Sequence, residues 1–420
     1  MRIIADFHLH SKHSRATSPD MEVESLAKWG KIKGINLIGT GDFTHPAYLY
    51  ELKTKLEPTG AGLFKLKNSD SPIQFILTVE VSNVYSQNSR LRKIHNILFA
   101  PSFELVEKLN AKLSKFGKLA SDGRPTFGFS SKDLAKMVFD VSPDFFIVPA
   151  HAWTPWFSIF GSNSGFDSIE ECFGEYAKYI FAIETGLSSD PLMNWRWSAL
   201  DKITLISNSD AHSPSKLGRE ANIFDCKLDY FEIRDILKNR DTKKFLYTVE
   251  FFPEEGKYHY DGHRDCGILF SPEESKKQNN LCPVCHKKLT IGVMNRVDSL
   301  ADRATGYLPD HAIPYKNMIP LIEIIGSVFN QGVESKAVEK EYFRLIEAFG
   351  SEFNILLDIS IEDFAKVASP KVAEGLKKVR EGKVKITPGY DGVYGKISLF
   401  EEDIEKAADV KPTDQLGLFG

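Results

Sequence analysis

Arg2-Ile3-Ile4-Ala5-Asp6-Phe7-His8-Leu9-His10 starts the chain with an apolar run that ends in two histidines spaced i, i+2. Residues 2–7 are expected to form a short buried strand. Alternate side chains of a strand share a face, so His8 and His10 point the same way at its C-terminal end. Four more apolar runs end in similar chemistry. Residues 35–38 precede Asp42, residues 75–79 precede Glu80, residues 145–148 precede His151, and residues 203–206 precede Asp210-Ala211-His212, which repeats the i, i+2 pairing. The chain has eleven histidines, and His8, His10, His13, His45, His95, His151 and His212 all fall in or beside these segments, a concentration that no apolar core requires. One such histidine alone would read as a hydrogen-bonded core residue. Five segments together predict a metal centre, and mixed imidazole and carboxylate donors suit zinc, manganese or iron. Parallel α/β barrels carry their chemistry at the C-terminal ends of the strands, where these residues are expected.

The rest of the composition sets bounds. The chain has 420 residues, enough for two or three domains. Its 42% apolar and 26% charged residues describe an ordinary globular protein. No run of eighteen apolar residues occurs, so no membrane span is expected, and a strand at residue 2 leaves no place for a secretory signal. A cytoplasmic location follows as the expectation, and the five cysteines fit a reducing compartment and a metal site better than disulfides. The net charge of −4 rules out a globally basic face, though not local basic patches.

Strand-like and helix-like segments alternate through residues 1–225. Helices are expected over 22–33, over 102–116 with Ser102 as cap, and from Ser130, where Asp133 sits three positions on. Residues 226–255 read as a connector. In 256–300, His263-x-x-Cys266 is followed after fifteen residues by Cys282-Pro-Val-Cys285, a zinc-ribbon pattern. Tetrahedral zinc needs four ligands. Cys266, Cys282 and Cys285 give three, and His263 fits best as the fourth, with His259 and His286 as alternatives. Residues 301–400 read as mainly helical with a closing β-like piece, and the stripe of apolar residues over 339–349 reads as core packing. The basic run 371–385, with Lys377, Lys378 and Arg380, leads into the Tyr390 turn; it is either a solvated face or a phosphate contact. Trp153, Trp156, Phe157 and Phe160 follow His151 and either pack the loop or stack a base. The tail 401–420 ends in Gln415-Leu416-Gly417-Leu418-Phe419-Gly420, an apolar tip on a polar lead.

The order His-x-His, Asp, Glu, His, His, Asp-x-His resembles the polymerase and histidinol phosphatase (PHP) superfamily. That resemblance implies a distorted (β/α)7 barrel holding two or three divalent metals (Zn, Mn, Mg or Fe). The ligands it implies are His8, His10, Asp42, Glu80, His95, His151, Asp210 and His212. The family commonly has Asp followed directly by His. Here Asp42 is followed by Phe43, and His45 is expected to take the displaced role, with His13 a weaker candidate. Glu80 and Asp210 have the chemistry to bridge metals, and Asp6 is placed to hydrogen-bond a ligand imidazole. Within the superfamily, the segments 39–46, 151–157, 208–213, 259–266, 300–303 and 388–395 make the whole chain similar to endonuclease Q. That family combines a PHP metal-dependent phosphoesterase domain with a structural-zinc ribbon and a helical C-terminal part. The resemblance implies hydrolysis of the phosphodiester 5′ of deaminated bases (hypoxanthine, uracil, xanthine) and of abasic sites, in double-stranded or single-stranded DNA. His10, Glu80 and Asp210 would be catalytic. Trp153, Trp156, Phe157, Lys377, Lys378, Arg380 and Tyr390 would be candidate DNA contacts. The tail is similar to the clamp-binding peptide of DNA repair proteins, with Gln415, Leu416, Leu418 and Phe419 as anchors for a sliding clamp, unless Leu418 and Phe419 dock on the protein itself. Two other readings use the same ligands: a histidinol-phosphate type of phosphatase, and a non-catalytic clamp-associated scaffold. The phosphatase would not need the ribbon, the further hundred residues or the tail, and the near-complete ligand set argues against the scaffold.

Overall fold

The apolar run at the N-terminus forms β1 (Arg2–Asp6), buried after its first residue. In this computed structural model, which describes residues 1–400, β1 pairs in parallel with β2 (Leu37–Gly39), and β2 pairs in parallel with β3 (Gln74–Gln87). Antiparallel ladders continue from β3 to β4 (Arg90–Ala100) and from β4 to β5 (Phe146–Pro149). β6 (Ala182–Glu184) and β7 (Thr204–Ile206) form a separate parallel pair. On the far side of β1 lie β8 (Ala221–Asp225) and β9 (Phe245–Glu250), both joined by antiparallel pairing. The large sheet has eleven strands, so the fold is mixed α/β around one dominant sheet.

Two expectations change here. Glu80 and His95 do not lie at strand ends. They sit within the long β3–β4 hairpin, whose register pairs Ser82 with His95, so Glu80 and His95 share a face. Asn88 and Ser89, both at positive φ (53° and 58°), make the two-residue turn that joins the strands. The stretch 226–255 is more than a connector. Tyr230, Ile233, Ile236 and Leu237 give helix Tyr230–Asn239 a buried stripe, Asp229 caps it, and β9 follows as part of the large sheet.

The expected helix signals hold. Helix Val23–Lys33 buries Val23, Leu26, Ala27 and Gly30 and ends at Gly34 in the left-handed conformation (φ 87°). The Ser102 side chain accepts from the Leu105 amide, and Ser130 with Asp133 forms a reciprocal capping box. Beyond the sheet, β10 (Asp261–His263) and β11 (Ile268–Phe270) form a small hairpin. Helices Leu321–Phe329, Lys336–Phe349 and Pro370–Arg380 follow; of the expected stripe Tyr342, Leu345 and Ile346 are buried, while Phe343 is exposed. Strands Lys385–Thr387 and Lys396–Ser398 close the described chain. Among the described residues, no helix is long and apolar enough to cross a membrane. The clamp-like residues Gln415, Leu416, Leu418 and Phe419 lie outside the described residues.

One buried ion pair fastens the C-terminal helices to the sheet layer. Lys33 Nζ lies 2.6 Å from Glu352 Oε2, with side chains 5% and 4% exposed. Tyr342 Oη and the Leu321 amide also donate to Glu352. Removing one partner of a buried pair leaves an uncompensated charge. Lys33→Ala is therefore expected to cost about 3–5 kcal/mol, read as a lower denaturant midpoint. A midpoint within error of wild type would show that the pair does not hold this junction.

Candidate metal centre and nucleic-acid interface

Backbone bonds bring the sequence-distant ligands together. The segment after β1 runs beside the segment after β7, with a parallel bridge between Leu9 and Ala211 and a bond from the His10 amide to the Ala211 carbonyl (3.0 Å). Asp6 fixes the second segment, its two oxygens accepting from the Ser209 amide (3.0 Å) and the Gly218 amide (2.9 Å). Asp6 therefore holds a loop and not an imidazole, which corrects the expectation. Burial pushes its carboxyl up to about 6 despite these donors.

Two groups of three donors result, each with ligand atoms within 4.8 Å of one another: His8, His10 and Asp210, and Glu80, His95 and His151. Glu80 joins them. Its Oε1 lies 2.7 Å from His95 Nδ1 and 3.0 Å from His151 Nε2, while its Oε2 lies 3.4 Å from His10 Nε2. Asp210 Oδ1 lies 3.2 Å from His10 Nε2 and 3.7 Å from His8 Nε2. His8 Nε2, His10 Nε2 and Asp210 Oδ1 are buried without a hydrogen-bond partner and face one another. Orphaned buried donor atoms of this kind carry a heavy desolvation cost unless a cation joins them, so these residues fit a divalent metal.

The electrostatics agree. Burial alone would raise Glu80 and Asp210, yet both are held well below the usual carboxylate range by the histidines around them and, for Glu80, by Arg124. Burial alone would depress His8 and His10, yet the facing carboxylates lift both well above the usual imidazole range. Burial, which Glu80 only partly offsets, drops His95 to about 4. Asp42, His151 and Asp210 all adopt positive φ (46°, 30° and 47°). Such conformations cost of order 1–3 kcal/mol each and persist where surrounding structure imposes them, typically at functional sites.

The remaining predicted ligands are placed differently. Asp42 stands behind His10: Oδ1 lies 3.3 Å from His10 Nδ1, and Oδ2 accepts from the Ser11 amide, Ser11 Oγ and Ser14 Oγ. His212 lies beside His10, ring centroids 4.6 Å apart, with Nδ1 on its own chain at the Asp210 carbonyl. His45 stacks on His13 at 4.3 Å, and neither enters either group of three.

Two site residues escaped the sequence reading. Glu184, fully buried at the end of β6, faces His8 Nδ1 with both oxygens at 3.0 Å and accepts from the His151 amide (2.7 Å) and Asn208 Nδ2 (2.9 Å). It therefore performs the imidazole-orienting task expected of Asp6. The signal was present, a carboxylate ending the apolar run 180–184. Arg124 Nη1 donates to Glu80 Oε2 at 3.0 Å from the loop 120–125, where nothing in the sequence marks it. Glu184→Gln is expected to weaken metal binding or activity by about 10–100-fold, as is usual for a partner that orients a ligand imidazole. Metal titration checks this, and an unchanged affinity would leave Glu184 a core residue only.

The second cluster comprises His263, Cys266, Cys282 and Cys285, whose ligand atoms also lie within 4.8 Å of one another. Cys285 Sγ is 3.9 Å from His263 Nδ1. The alternative His259 is buried elsewhere, stacked on Tyr260. Four thiol and imidazole donors on a hairpin and a knuckle fit tetrahedral zinc.

The candidate DNA contacts divide. Trp153 is fully buried, donates to Asn194 Oδ1 (2.7 Å) and packs on Phe160 and Trp197, so Trp153 and Phe160 belong to the loop core and do not stack a base. Trp156 is 39% exposed, and its ring meets Tyr258 edge-on at 5.5 Å. Phe157 packs on His95, ring centroids 4.7 Å apart. Arg380 is committed to the carbonyls of Ile355 and Leu356, and Lys378 to the Leu399 carbonyl and Glu374. The basic run thus does not present these two side chains as free cations. Lys377 is exposed, and Tyr390 packs over Gly262 of the hairpin.

Comparison with known proteins follows the same lines. The crystal structure of the lesion-specific endonuclease PfuEndoQ from Pyrococcus furiosus is 34% identical, with a TM-score of 0.85, and the match covers 98% of this chain and 100% of that one. An endonuclease Q in complex with a 27-mer duplex substrate, an abasic lesion at its active site, is 34% identical with a TM-score of 0.84, covering 96% and 98%. Residues 320–383 match the MJ0043 C-terminal domain family. The MJ0043 protein of Methanocaldococcus jannaschii is 35% identical over 262 residues, 61% of this chain but 32% of that protein, so the chain spans about a third of its length. YqxK of Bacillus subtilis is 29% identical over 412 residues, 94% of this chain and 99% of that one. An α/β sheet carrying two histidine–carboxylate groups joined by one buried glutamate defines a metal-dependent hydrolase. The chain belongs to the endonuclease Q family and is a metal-dependent endonuclease.

Proposed function

We propose that this endonuclease hydrolyses the phosphodiester on the 5′ side of deaminated bases (hypoxanthine, uracil and xanthine) and of abasic sites in DNA. The observation that carries this reading is the end-to-end likeness, at 34% identity, to a lesion-specific endonuclease. The abasic duplex bound by a similar endonuclease Q supports the abasic site as one substrate.

In this reading His8, His10, Asp210, Glu80, His95 and His151 would hold the divalent metals. His212, Asp42 and His45 stand near enough to complete or support a third position. Divalent cations supply Lewis acidity, neutralising charge on the phosphate and lowering the pKa of a water from 15.7 to roughly 7. The protein orients these ligands: Glu184 holds His8, and Asp42 holds His10. The lesion leaves the helix, which is cheapest at a damaged pair. Trp156, with Phe157 and Tyr390 as further candidates, would stack a base or wedge the duplex beside the lesion. Strands β1–β7 are read as the distorted barrel. Residues 1–225 with helix Tyr230–Asn239 and β9 form the catalytic unit, residues 256–300 a zinc ribbon, residues 301–400 the helical module, and the tail a clamp-binding peptide.

The test is a panel of end-labelled duplexes, each with one hypoxanthine, uracil, xanthine or abasic site, incubated with Mn²⁺, Mg²⁺ or Zn²⁺. Nicking 5′ of the lesion and none of the undamaged duplex is expected. Equal cleavage of undamaged DNA, or release of phosphate from small phosphomonoesters alone, would overturn the reading.

A further inference from the structure

Arg124 brings a permanent cation into a cluster built to hold cations. Its guanidinium donates to Glu80 Oε2, the oxygen that also faces His10. Its side chain is 26% exposed where Glu80 is wholly buried. Asp210 and His212 are similarly open, at 28% and 25%. These three therefore mark the side of the centre that a substrate reaches.

The loop that carries Arg124 is fixed at three points. The Gly123 amide donates to the His13 carbonyl (3.0 Å), Thr44 Oγ1 donates to the Gly123 carbonyl (3.4 Å), and the Ser82 amide donates to the Pro125 carbonyl (3.0 Å). A Cβ at Gly123 would fall 2.2 Å from Asp42 Oδ2, so only glycine lets the loop lie this close to the centre. The guanidinium is thus delivered to a set position.

Glu80 already faces His8, His10, His95 and His151, and with divalent ions bound its charge is satisfied without Arg124. A guanidinium beside those ions is repelled by them in a buried setting, unless an anion sits between. A phosphodiester is such an anion, and the planar guanidinium fork matches two of its oxygens.

Resting on the metal-centre reading above, we propose that Arg124 is a catalytic residue that binds a non-bridging oxygen of the scissile phosphate. Water forms the new bond to phosphorus, giving up one proton, as one ester P–O bond breaks, and the leaving oxygen takes up one proton, so none is gained or lost overall. Arg124 keeps its own proton throughout. It stabilises the charge that builds on the phosphate oxygens.

The test uses the full chain reconstituted with Mn²⁺ and an abasic duplex, comparing wild type with Arg124→Ala and Arg124→Lys. Loss of one such donor is expected to lower kcat by about 10²–10³-fold. Lysine should restore only part, lacking the fork. Guanidinium chloride should rescue the alanine variant where NaCl at equal ionic strength does not. With Mn²⁺ bound and a phosphorothioate at the scissile position to slow cleavage, the slope of log affinity against log salt should become shallower by about 0.9, because the alanine variant neutralises one phosphate fewer, with the metal content of reconstituted protein unchanged. A variant that loses metal and keeps the wild-type slope would show that Arg124 only props Glu80, and wild-type kcat in Arg124→Ala would remove it from the reaction. If wild type itself cleaves no lesion duplex, the proposed function fails, and the salt slope still judges whether Arg124 meets a phosphate.

Discussion

Asp210→Ala is expected to leave a folded protein that no longer nicks a lesion-containing duplex. Asp210 Oδ1 is the one carboxylate oxygen in the group with His8 and His10, and it is buried without a hydrogen-bond partner. Metal-ion charge stabilisation is worth several kcal/mol in the transition state. At about 4 kcal/mol its loss slows the reaction roughly 10³-fold. Asp210 also holds a positive φ of 47°, which alanine tolerates poorly and asparagine well. Asp210→Asn therefore separates backbone strain from lost charge, and it too should be inactive. Single-turnover nicking and metal content per chain check both variants. Near-normal nicking by the asparagine variant would show that Asp210 holds no metal.

Cys282→Ser should act on a different part of the molecule, with an effect as large. Cys282 is wholly buried in a segment otherwise rich in exposed Lys and Asn, so little apolar packing competes with the cluster of His263, Cys266 and Cys285 for the stability of this region. Structural zinc contributes about 10–16 kcal/mol to zinc-finger peptides at neutral pH, more than a small hairpin obtains from its own core. Loss of the thiolate should remove one zinc and open residues 256–300 to protease. The damage should reach the catalytic side through Arg296, whose Nε and Nη2 donate to the carbonyls of Phe160 and Phe166 in the loop after His151 (both 2.8 Å). An unchanged zinc count with unchanged protection would show that the cluster binds no structural metal.

The legible parts of the sequence were those where a local rule has one outcome. Ser102 and Ser130 marked helix starts because their hydroxyls satisfy orphan amides three residues on. His263-x-x-Cys266 and Cys282-x-x-Cys285 marked a four-donor cluster because thiol pairs on tight turns have few other uses in a polar segment. The long hairpin was missed because Asn88-Ser89 is a weak turn signal beside Asn-Gly, and only residues 75–79 of its first strand were read as a strand. Lys378 and Arg380 read as free cations because carbonyls that await them, at Leu399 and at 355–356, come from other elements.

Which residue types form the centre was fixed by the sequence alone. His8 and His10 share a spacing that a strand extension places on one face, and period-2 geometry needs no tertiary information. How those residues divide the work was decided only by the fold. Asp6 and Glu184 are equally buried carboxylates near His8, yet Asp6 meets the amides of Ser209 and Gly218, while Glu184, distant by 176 residues, meets the His8 ring. Arg124 became part of the centre because Gly123 lets its loop lie against Asp42. Partners so far apart in the chain are chosen by the packing of strands and loops. A side chain's chemistry states what it can bind, and only that packing states what it meets.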